Sequence, residues 1–568
     1  MAQELGSHHF EERLSQPQCG VRVHKDVYVR MRDGVRVAVD VYRPDIEGRF
    51  PALYASSPYQ KDHVYLPAIP IFHKRETNDI EWFVRRGYAY VHADIRGTGK
   101  SVEGEWRFHS FPEQNDHYDL IEWIAAQPWC SGRVGMIGES YYGWTQWFAA
   151  ATQPPHLATI VPFDAGADMY RDVIYHGGLL NSGFLTWWHC NLRANHLLDE
   201  PGPYPPDQLR WDMVYEVLRH PFYDEFWLER TADFKKIRVP VYSIGIWHKV
   251  HLHLRGNLCG FEQLEVPKKL LVCDGNYLGD EMAIFHSPEM KLELLRWYDH
   301  WLKGNDTGIM NEPPVKLFIR SSNMGYRSEN EWPVARAEYT RFYLQPGPVG
   351  AVTSLNDGGL STQPPRAEAA SFEYEYPSPN WRAWKTYGTA PVINGVPHPT
   401  MEILTYTSEP LREDLDVTGP ITLVLYASST QKDTDFYVRL VDQAPDKEQQ
   451  KGAPPKGRIL TRGWLRASHR ELDSQRSSPR RPFHSHSNPS PIEPGKIYRY
   501  DIEVLPTSNL FRKDHRIRID LSNGDSPVFD LGGHHYGIKM GKDTIYHDGD
   551  HPSHIVLPII PAGSPSKD

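Results

Sequence analysis

The sequence has 568 residues, of which 40% are hydrophobic and 24% charged, and its formal net charge is −10 at pH 7. A chain of this length exceeds one hydrophobic core, so we expect two or three domains. The acidic balance argues against nucleic acid or an anionic membrane as the main partner. No run approaches the roughly 20 apolar residues that span a bilayer.

The five cysteines are scattered and odd in number, which is typical of reduced thiols. The sequence contains neither a Cys-x-x-Cys pair nor a His-Glu-x-x-His motif, so it predicts no zinc site, and no organic cofactor is implied. The polar N-terminus lacks the apolar segment of a signal peptide. Together these features predict a cytoplasmic protein that acts on a small molecule.

The first part of the chain alternates strands with helices. Residues 21–30 and 35–42 alternate apolar and polar side chains around Asp33-Gly34, which predicts a β-hairpin. Further strands are predicted at 51–57, 88–93, 134–137, 157–162, 239–246 and 269–273, and helices at 79–86, 113–126, 144–151, 255–264 and 288–302. Such alternation is typical of a mainly parallel α/β sheet.

Two later regions depart from this alternation. Residues 165–235 are crowded with aromatic side chains and broken by a Pro- and Gly-rich run. We interpret them as a helical lid that walls a substrate pocket, the alternative being a plain packing subdomain. From about residue 313 strand-like runs dominate, which predicts an all-β sandwich of the jelly-roll type. The basic segment 476–486 is interpreted as a solvated loop.

Residues 133–143 (Arg-Val-Gly-Met-Ile-Gly-Glu-Ser-Tyr-Tyr-Gly) carry the strongest signal for chemistry. A short apolar strand, a tight turn with glycines around a serine, and a helix together form a nucleophile elbow. The spacing is Gly-x-Ser-x-x-Gly rather than Gly-x-Ser-x-Gly. The pattern predicts Ser140 as a nucleophile and the Tyr141 N–H as an oxyanion donor. The alternative is an ordinary Gly-rich turn.

Several stretches together resemble the cocaine esterase and X-Pro dipeptidyl-peptidase (CocE/NonD) family of serine hydrolases. They are 57–59 (Ser-Pro-Tyr), 93–101, 120–130, 138–143, 170–172 (Tyr-Arg-Asp) and 297–304. The resemblance implies an α/β-hydrolase domain (20–164 and 236–312), an inserted helical lid (165–235) and a β-rich jelly-roll, galactose-binding-like domain (313–568). It also implies that the Tyr59 phenol joins the Tyr141 N–H in an oxyanion hole.

The sequence departs from the family at the other two triad positions. Where the family has its acid, in a Gly-Trp-x-Asp-like loop, this chain has His248. Where the family has its histidine, this chain has a loop that begins with Asp274, and no histidine follows before His286.

Three explanations remain open for this departure. His248 acts as base with Asp274 or Asp280 as acid, since a triad requires geometry and not chain order. Alternatively His286, His251 or His253 supplies the base. In the third case the triad is lost.

The leading functional prediction is a serine-dependent acyl hydrolase or acyltransferase, in which Ser140 attacks a carbonyl and His248 or His286 moves the proton. The alternative is a lyase, isomerase or cyclase that reuses the oxyanion pocket. A third reading is a non-catalytic binding protein. The absence of a secretion signal and an expected aromatic pocket without a buried charge pair favour specialised metabolism over peptide digestion. Homo-oligomer formation is left open.

Overall fold

A computed structural model describes residues 5–62, 76–198, 211–275, 280–323, 325–366, 368–376, 392–393, 396–397, 403–445, 457–524, 533–534 and 540–563. None of the helices in these ranges is both long and apolar enough to cross a membrane.

A ten-stranded sheet occupies the first half of the chain, in the order β1-β2-β4-β3-β5-β6-β9-β10-β11-β12. Its strands are β1 (Val21–Arg30), β2 (Arg36–Pro44), β3 (Phe50–Ser57), β4 (Ala89–Asp94), β5 (Cys130–Glu139), β6 (Leu157–Phe163), β9 (Val241–Ile246), β10 (Lys268–Cys273), β11 (Val315–Phe318) and β12 (Tyr326–Glu329). The pairs from β4 through β11 are parallel, and those at both edges are antiparallel. The prediction of a mainly parallel α/β sheet is confirmed.

The predicted hairpin forms the first edge of this sheet. β1 pairs antiparallel with β2, and Gly34 in the connection has a φ of 93°. Glycine is favoured there because it alone adopts positive φ without steric cost.

Nine α-helices lie in the described residues. They are α1 (Ile80–Val84), α2 (Phe111–Ala125), α3 (Tyr141–Ala151), α4 (Ser182–Leu198), α5 (Met213–Arg219), α6 (Glu225–Glu229), α7 (Leu254–Gln263), α8 (Asp280–Phe285) and α9 (Pro288–Tyr298). Short 3₁₀ segments lie at Ser7–Arg13, Phe234–Lys236, Ile309–Asn311 and Ala467–His469, and π-helical segments at Met169–Ile174 and Asp299–Lys303. α3 is buried along nearly its whole length because it packs against β5 and β6 of the sheet and against α2.

The chain between β6 and β9 forms an insertion in the parallel sheet. It contains a small hairpin, β7 (Tyr175–His176) and β8 (Leu179–Leu180), and helices α4, α5 and α6. Its helical character agrees with the sequence. Its action as a lid stays a prediction, as do the domain boundaries.

A second, eleven-stranded sheet follows, in the order β15-β24-β19-β22-β21-β20-β23-β18-β14-β13-β25, with a further β19–β25 pairing. Its strands are β13 (Glu338–Gln345), β14 (Gly358–Ser361), β15 (Ser371–Tyr376), β18 (Leu404–Ser408), β19 (Leu415–Ser429), β20 (Asp435–Gln443), β21 (Gly457–Arg466), β22 (Tyr498–Phe511), β23 (Arg516–Ser522), β24 (Gly541–Tyr546) and β25 (His554–Ile560). The two-residue strands β16 (Val392–Ile393) and β17 (Val396–Pro397) pair separately. The β-rich character is confirmed, and the jelly-roll assignment stays a prediction.

The basic segment 476–486 packs against the first half of the chain. Arg481 donates to both carboxylate oxygens of Glu262 on α7, at 2.6 Å each. The Arg476 guanidinium lies 3.6 Å from the centroid of the Phe483 ring. The interpretation of this segment as a solvated loop holds for Arg476 and residues 478–480, which are exposed, and is wrong for residues 481–486, which are buried or half-buried against the neighbouring elements.

Candidate active site

Ser140 lies at the turn between β5 and α3. Its backbone has φ 57° and ψ −121°, outside the usual regions for a non-glycine residue, which costs about 1–3 kcal/mol. A Cβ on Gly138 would come within 2.3 Å of the Tyr142 Cβ, and one on Gly143 within 2.6 Å of the Phe163 carbonyl oxygen. The predicted strand–turn–helix is therefore confirmed, and its glycines are required by close backbone contacts.

Three backbone hydrogen bonds hold the strained turn. The Ser140 N–H donates to the Phe163 carbonyl at the end of β6 (3.1 Å), and the Trp144 N–H donates to the Ser140 carbonyl (2.7 Å). The Glu139 N–H donates to the Glu76 carbonyl (2.7 Å). The segment before α1 therefore runs directly beside the elbow.

Tyr59 follows the end of β3, and its buried phenol contacts the Ser140 hydroxyl. The Trp188 indole N–H, from α4 in the insertion, donates to the phenol oxygen at 3.0 Å. An indole N–H can only donate, so the Tyr59 oxygen is the acceptor in this bond. Burial, followed by the nearby Glu76 charge, raises the pKa of Tyr59 well above its usual value, so the phenol stays protonated.

Tyr141 begins α3, where a first-turn N–H has no partner within the helix. Its phenol points elsewhere and donates to Glu113 on α2 at 2.8 Å. Its ring stacks on His109, with ring centroids 4.4 Å apart. The side chain therefore anchors the residue, and the backbone N–H is the group available to an oxyanion beside Ser140.

A group of ionisable side chains, all buried except the half-buried Glu76, lies beside Ser140. Its members are Glu76, Glu139, Asp164, Lys249 and Glu281. Burial raises the pKa of Glu76, Glu139 and Asp164 well above the usual range, and the neighbouring carboxylates add to the shift while Lys249 opposes it. The expectation that this region lacks a buried charge pair is therefore wrong, because Lys249 and Glu281 form one.

Lys249 and His248 share one carboxylate of this group. The Lys249 ammonium lies 2.7 Å from Glu281 on α8, and the His248 Nε2 lies 3.7 Å from the other oxygen of Glu281. Burial alone would raise the pKa of Glu281, but the contacts with His248 and Lys249 outweigh it and hold that pKa below its usual value. The carboxylate beside His248 is thus Glu281.

The other predicted residues have different neighbours. Asp274 lies 3.2 Å from Arg458 on β21, in the β-rich half of the chain, which occupies one of its oxygens. His286 follows α8, and its ring packs against Phe285. His253 accepts a hydrogen bond from the Trp144 indole N–H at 2.9 Å. Catalytic roles for His248, His286 and Asp274 stay predictions, and the Asp280 side chain lies outside the described part.

Glu76, Lys249 and Glu281 are residues of the site that sequence reasoning did not assign. Lys249 and Glu281 lie in the two loops that correspond to the acid and histidine positions of the family triad. Their charges in these loops are the sequence signal that points to the site. Glu76 carries no signal of its own, because its approach to Ser140 depends on how the chain packs before α1.

The raised pKa of Asp164 predicts a pH-dependent stability. Because the folded protein retains a proton that the unfolded chain releases, stability falls as pH rises from about 3.8 towards the raised pKa. Asp164→Asn removes this titration, and asparagine tolerates the φ of 45° at this position. We expect the Tm of the variant to fall less than that of the wild type between about pH 5 and pH 8, as measured by scanning fluorimetry.

The control for this measurement is Asp33→Asn. The hydrogen bond from Arg96 lowers the pKa of Asp33, so its stabilising contribution is lost only as pH falls through that lowered value. This variant should leave the slope between pH 5 and pH 8 unchanged. An identical slope in wild type and Asp164→Asn would contradict the prediction.

Comparison with known proteins identifies the family. Residues 33–278 match the model of the X-Pro dipeptidyl-peptidase (S15 family), and residues 307–556 match the X-Pro dipeptidyl-peptidase C-terminal non-catalytic domain. Cocaine esterase from Rhodococcus sp. (strain MB1 Bresler) is 30% identical over 602 aligned residues, which cover 95% of this chain and 98% of the esterase.

Two solved structures have the same fold. A CocE/NonD family hydrolase from Staphylococcus aureus superposes with a TM-score of 0.80 at 25% identity, over 96% of this chain and 97% of its own. An α-amino acid ester hydrolase superposes with a TM-score of 0.67 at 20% identity, over 95% and 97% of the two chains. The chain belongs to the cocaine esterase and X-Pro dipeptidyl-peptidase (CocE/NonD) family, and it is a hydrolase.

Proposed function

We propose that this hydrolase forms an acyl-enzyme on Ser140 and cleaves a small-molecule ester, amide or thioester. The observation that supports this most directly is the strained turn at Ser140, whose hydroxyl contacts the Tyr59 phenol and whose next residue, Tyr141, begins α3 with a first-turn N–H that has no acceptor within the helix. A nucleophile between two preorganised donors is the arrangement that acyl transfer requires.

In the proposed reaction the Ser140 oxygen attacks the substrate carbonyl, and the negative charge that develops on the carbonyl oxygen is stabilised by the Tyr59 O–H and the Tyr141 N–H. Collapse of this intermediate expels the alcohol, amine or thiol and leaves the acyl group on Ser140. Water then attacks the acyl-enzyme, with the same two donors stabilising the second oxyanion.

Aromatic rings favour a partly apolar substrate. Tyr59 lies edge-on to Tyr141 and Trp188, with ring centroids 6.0 and 6.4 Å apart, and Trp188 also packs against Phe108. Such rings supply large contact areas with a few polar groups for orientation. The preference for specialised metabolism rested on the absence of a secretion signal and on a pocket without a buried charge pair. The second argument no longer applies, because buried charges also lie in this region.

An active-site-directed fluorophosphonate tests the proposal. We expect the probe to label the wild-type protein at one residue, identified as Ser140 by peptide mass spectrometry, and to leave Ser140→Ala unlabelled. Competition by p-nitrophenyl acetate should slow the labelling, because both reagents need the same hydroxyl and oxyanion donors. Failure to label Ser140, with p-nitrophenyl acetate hydrolysis intact, would overturn the proposal.

A further inference from the structure

Glu76 is a half-buried residue whose carboxyl has no role in the family assignment. It precedes α1, its backbone carbonyl accepts the hydrogen bond from Glu139, and its side chain contacts the Ser140 hydroxyl. Its Oε2 atom is buried and has no hydrogen-bond partner within the described part of the chain. A buried acceptor with spare capacity beside a nucleophile calls for a functional explanation.

Several imidazoles near the elbow already have other contacts. The His253 Nδ1 accepts from the Trp144 indole. The His248 Nε2 lies 3.7 Å from Glu281, and because a carboxylate beside one ring nitrogen also orients a triad histidine, His248 is the competing base that the experiment below distinguishes from Glu76. The His109 ring is stacked on Tyr141, on the side where the Tyr141 phenol meets Glu113. The Glu76 carboxylate, in contrast, is in contact with the hydroxyl that must lose its proton.

We propose that the Glu76 carboxylate is the general base that accepts the Ser140 proton, in the role that a histidine has in the family triad. This inference rests on the proposed function, since it requires Ser140 to be the nucleophile. It assigns a carboxylate–serine pair to an acyl hydrolase whose sequence lacks the expected triad partners.

The proton balance is complete with Glu76 alone. As the Ser140 oxygen bonds to the carbonyl carbon, its proton moves to Glu76 and the carbonyl π electrons move to the oxygen held by Tyr59 and Tyr141. When the intermediate collapses, the protonated Glu76 returns the proton to the leaving oxygen, nitrogen or sulphur. In deacylation Glu76 accepts a proton from water and then gives it to the Ser140 oxygen as the acid departs.

The surroundings of Glu76 make it a stronger base than an exposed carboxylate. The groups that shift the pKa of Glu76 are Lys249, Glu281, Asp164 and Ser140, and Glu76 in turn raises the pKa of Tyr59, Glu139 and Tyr142. Burial raises the pKa of Glu76 most, the carboxylates of Glu281 and Asp164 add to the rise, and Lys249 limits it. A raised pKa makes the ionised carboxyl a stronger proton acceptor, which suits the role of general base.

The decisive measurement is the pH profile of kcat/KM for p-nitrophenyl acetate in the wild type and in Glu76→Gln. We expect wild-type activity to rise with pH through one ionisation, because only the deprotonated carboxyl can accept a proton. Glu76→Gln should lose about 10²–10⁴-fold in kcat/KM and should lose that rise. Fluorophosphonate should still label Ser140 in this variant, but more slowly by a similar factor.

Glu139→Gln is the matched control, because it removes another buried carboxyl of the same group by the same isosteric change. It should keep the rise with pH and leave its midpoint nearly unchanged, because the pKa of Glu139 is itself raised well above its usual value and Glu139 is not among the groups that shift the pKa of Glu76. His248→Gln should likewise keep the rise. Glu76→Asp, which keeps a carboxylate, should retain the rise with a shifted midpoint, and it replaces Glu76→Gln if that variant does not fold.

The outcomes separate the two proposals. Absence of Ser140 labelling in the wild type would overturn the proposed function and this inference together. Normal labelling and turnover that survive Glu76→Gln within about tenfold, or loss of the pH-dependent rise in His248→Gln instead, would overturn the role of Glu76 alone. If the rise in kcat/KM of Glu76→Asp had the same midpoint pH as that of the wild type, the role of Glu76 would also be overturned.

Discussion

Ser140→Ala should lower kcat/KM for an ester such as p-nitrophenyl acetate by about 10⁴-fold or more. The alanine has no oxygen to form the acyl-enzyme, and only the oxyanion donors and substrate binding remain to accelerate hydrolysis by water. The measurement is steady-state hydrolysis, with burst kinetics and intact-protein mass to detect an acyl-enzyme. A burst and a mass increase equal to the acyl group are expected for the wild type and not for the variant.

Ser140→Gly provides the matched control for folding. Because Ser140 has a positive φ, alanine keeps the backbone strain whereas glycine relieves it. We therefore expect the glycine variant to have the higher Tm of the two, while both variants lack turnover. Retention of turnover in either variant would mean that another residue carries the reaction.

The elbow could be predicted from sequence because its signals are local. Gly138, Ser140 and Gly143 are close together in the sequence. The strand before them and the helix after them are predicted from directly adjacent residues. The Asp33-Gly34 hairpin is a similar case, since turn chemistry and strand alternation specify it without distant contacts.

The rest of the site depends on contacts between distant segments. Glu76 reaches Ser140 only because the chain before α1 crosses the end of β5, and no periodicity or motif reports that crossing. Loop geometry also determines which carboxylate lies beside His248. Asp274 directly follows β10, but its partner is Arg458. Glu281, on α8, is the carboxylate that lies beside His248.

The charged segment 476–486 is a second example of contacts that local sequence patterns do not predict. Its composition is that of an exposed loop, and only the folded chain brings Glu262 to Arg481. Charge patterns in sequence report what a segment could bind, and the partner is determined by the packing of the two halves of the molecule.

Tyr59→Phe should lower kcat by about 10²–10³-fold, with a smaller change in KM. The phenylalanine removes one of two oxyanion donors, and that hydrogen bond strengthens as charge develops in the transition state. The substitution also leaves the Trp188 indole N–H without its acceptor, at a cost of about 1–3 kcal/mol in the free energy of unfolding. Kinetics and chemical denaturation of the same variant measure the two effects separately.

Two further variants separate catalysis from folding at this position. In Tyr59→Phe/Trp188→Phe the buried indole donor is also removed, so stability should recover in part while kcat stays low. Tyr141→Phe removes a phenol of the same size that binds Glu113, and its backbone N–H remains, so we expect a lower Tm with kcat within about tenfold of the wild type. If Tyr59→Phe kept full kcat while Tyr141→Phe lost it, the donor beside Ser140 would have to be a different group. The contrast between the two tyrosines thus tests whether the phenol of Tyr59 and the backbone of Tyr141 divide the stabilisation of the oxyanion between them.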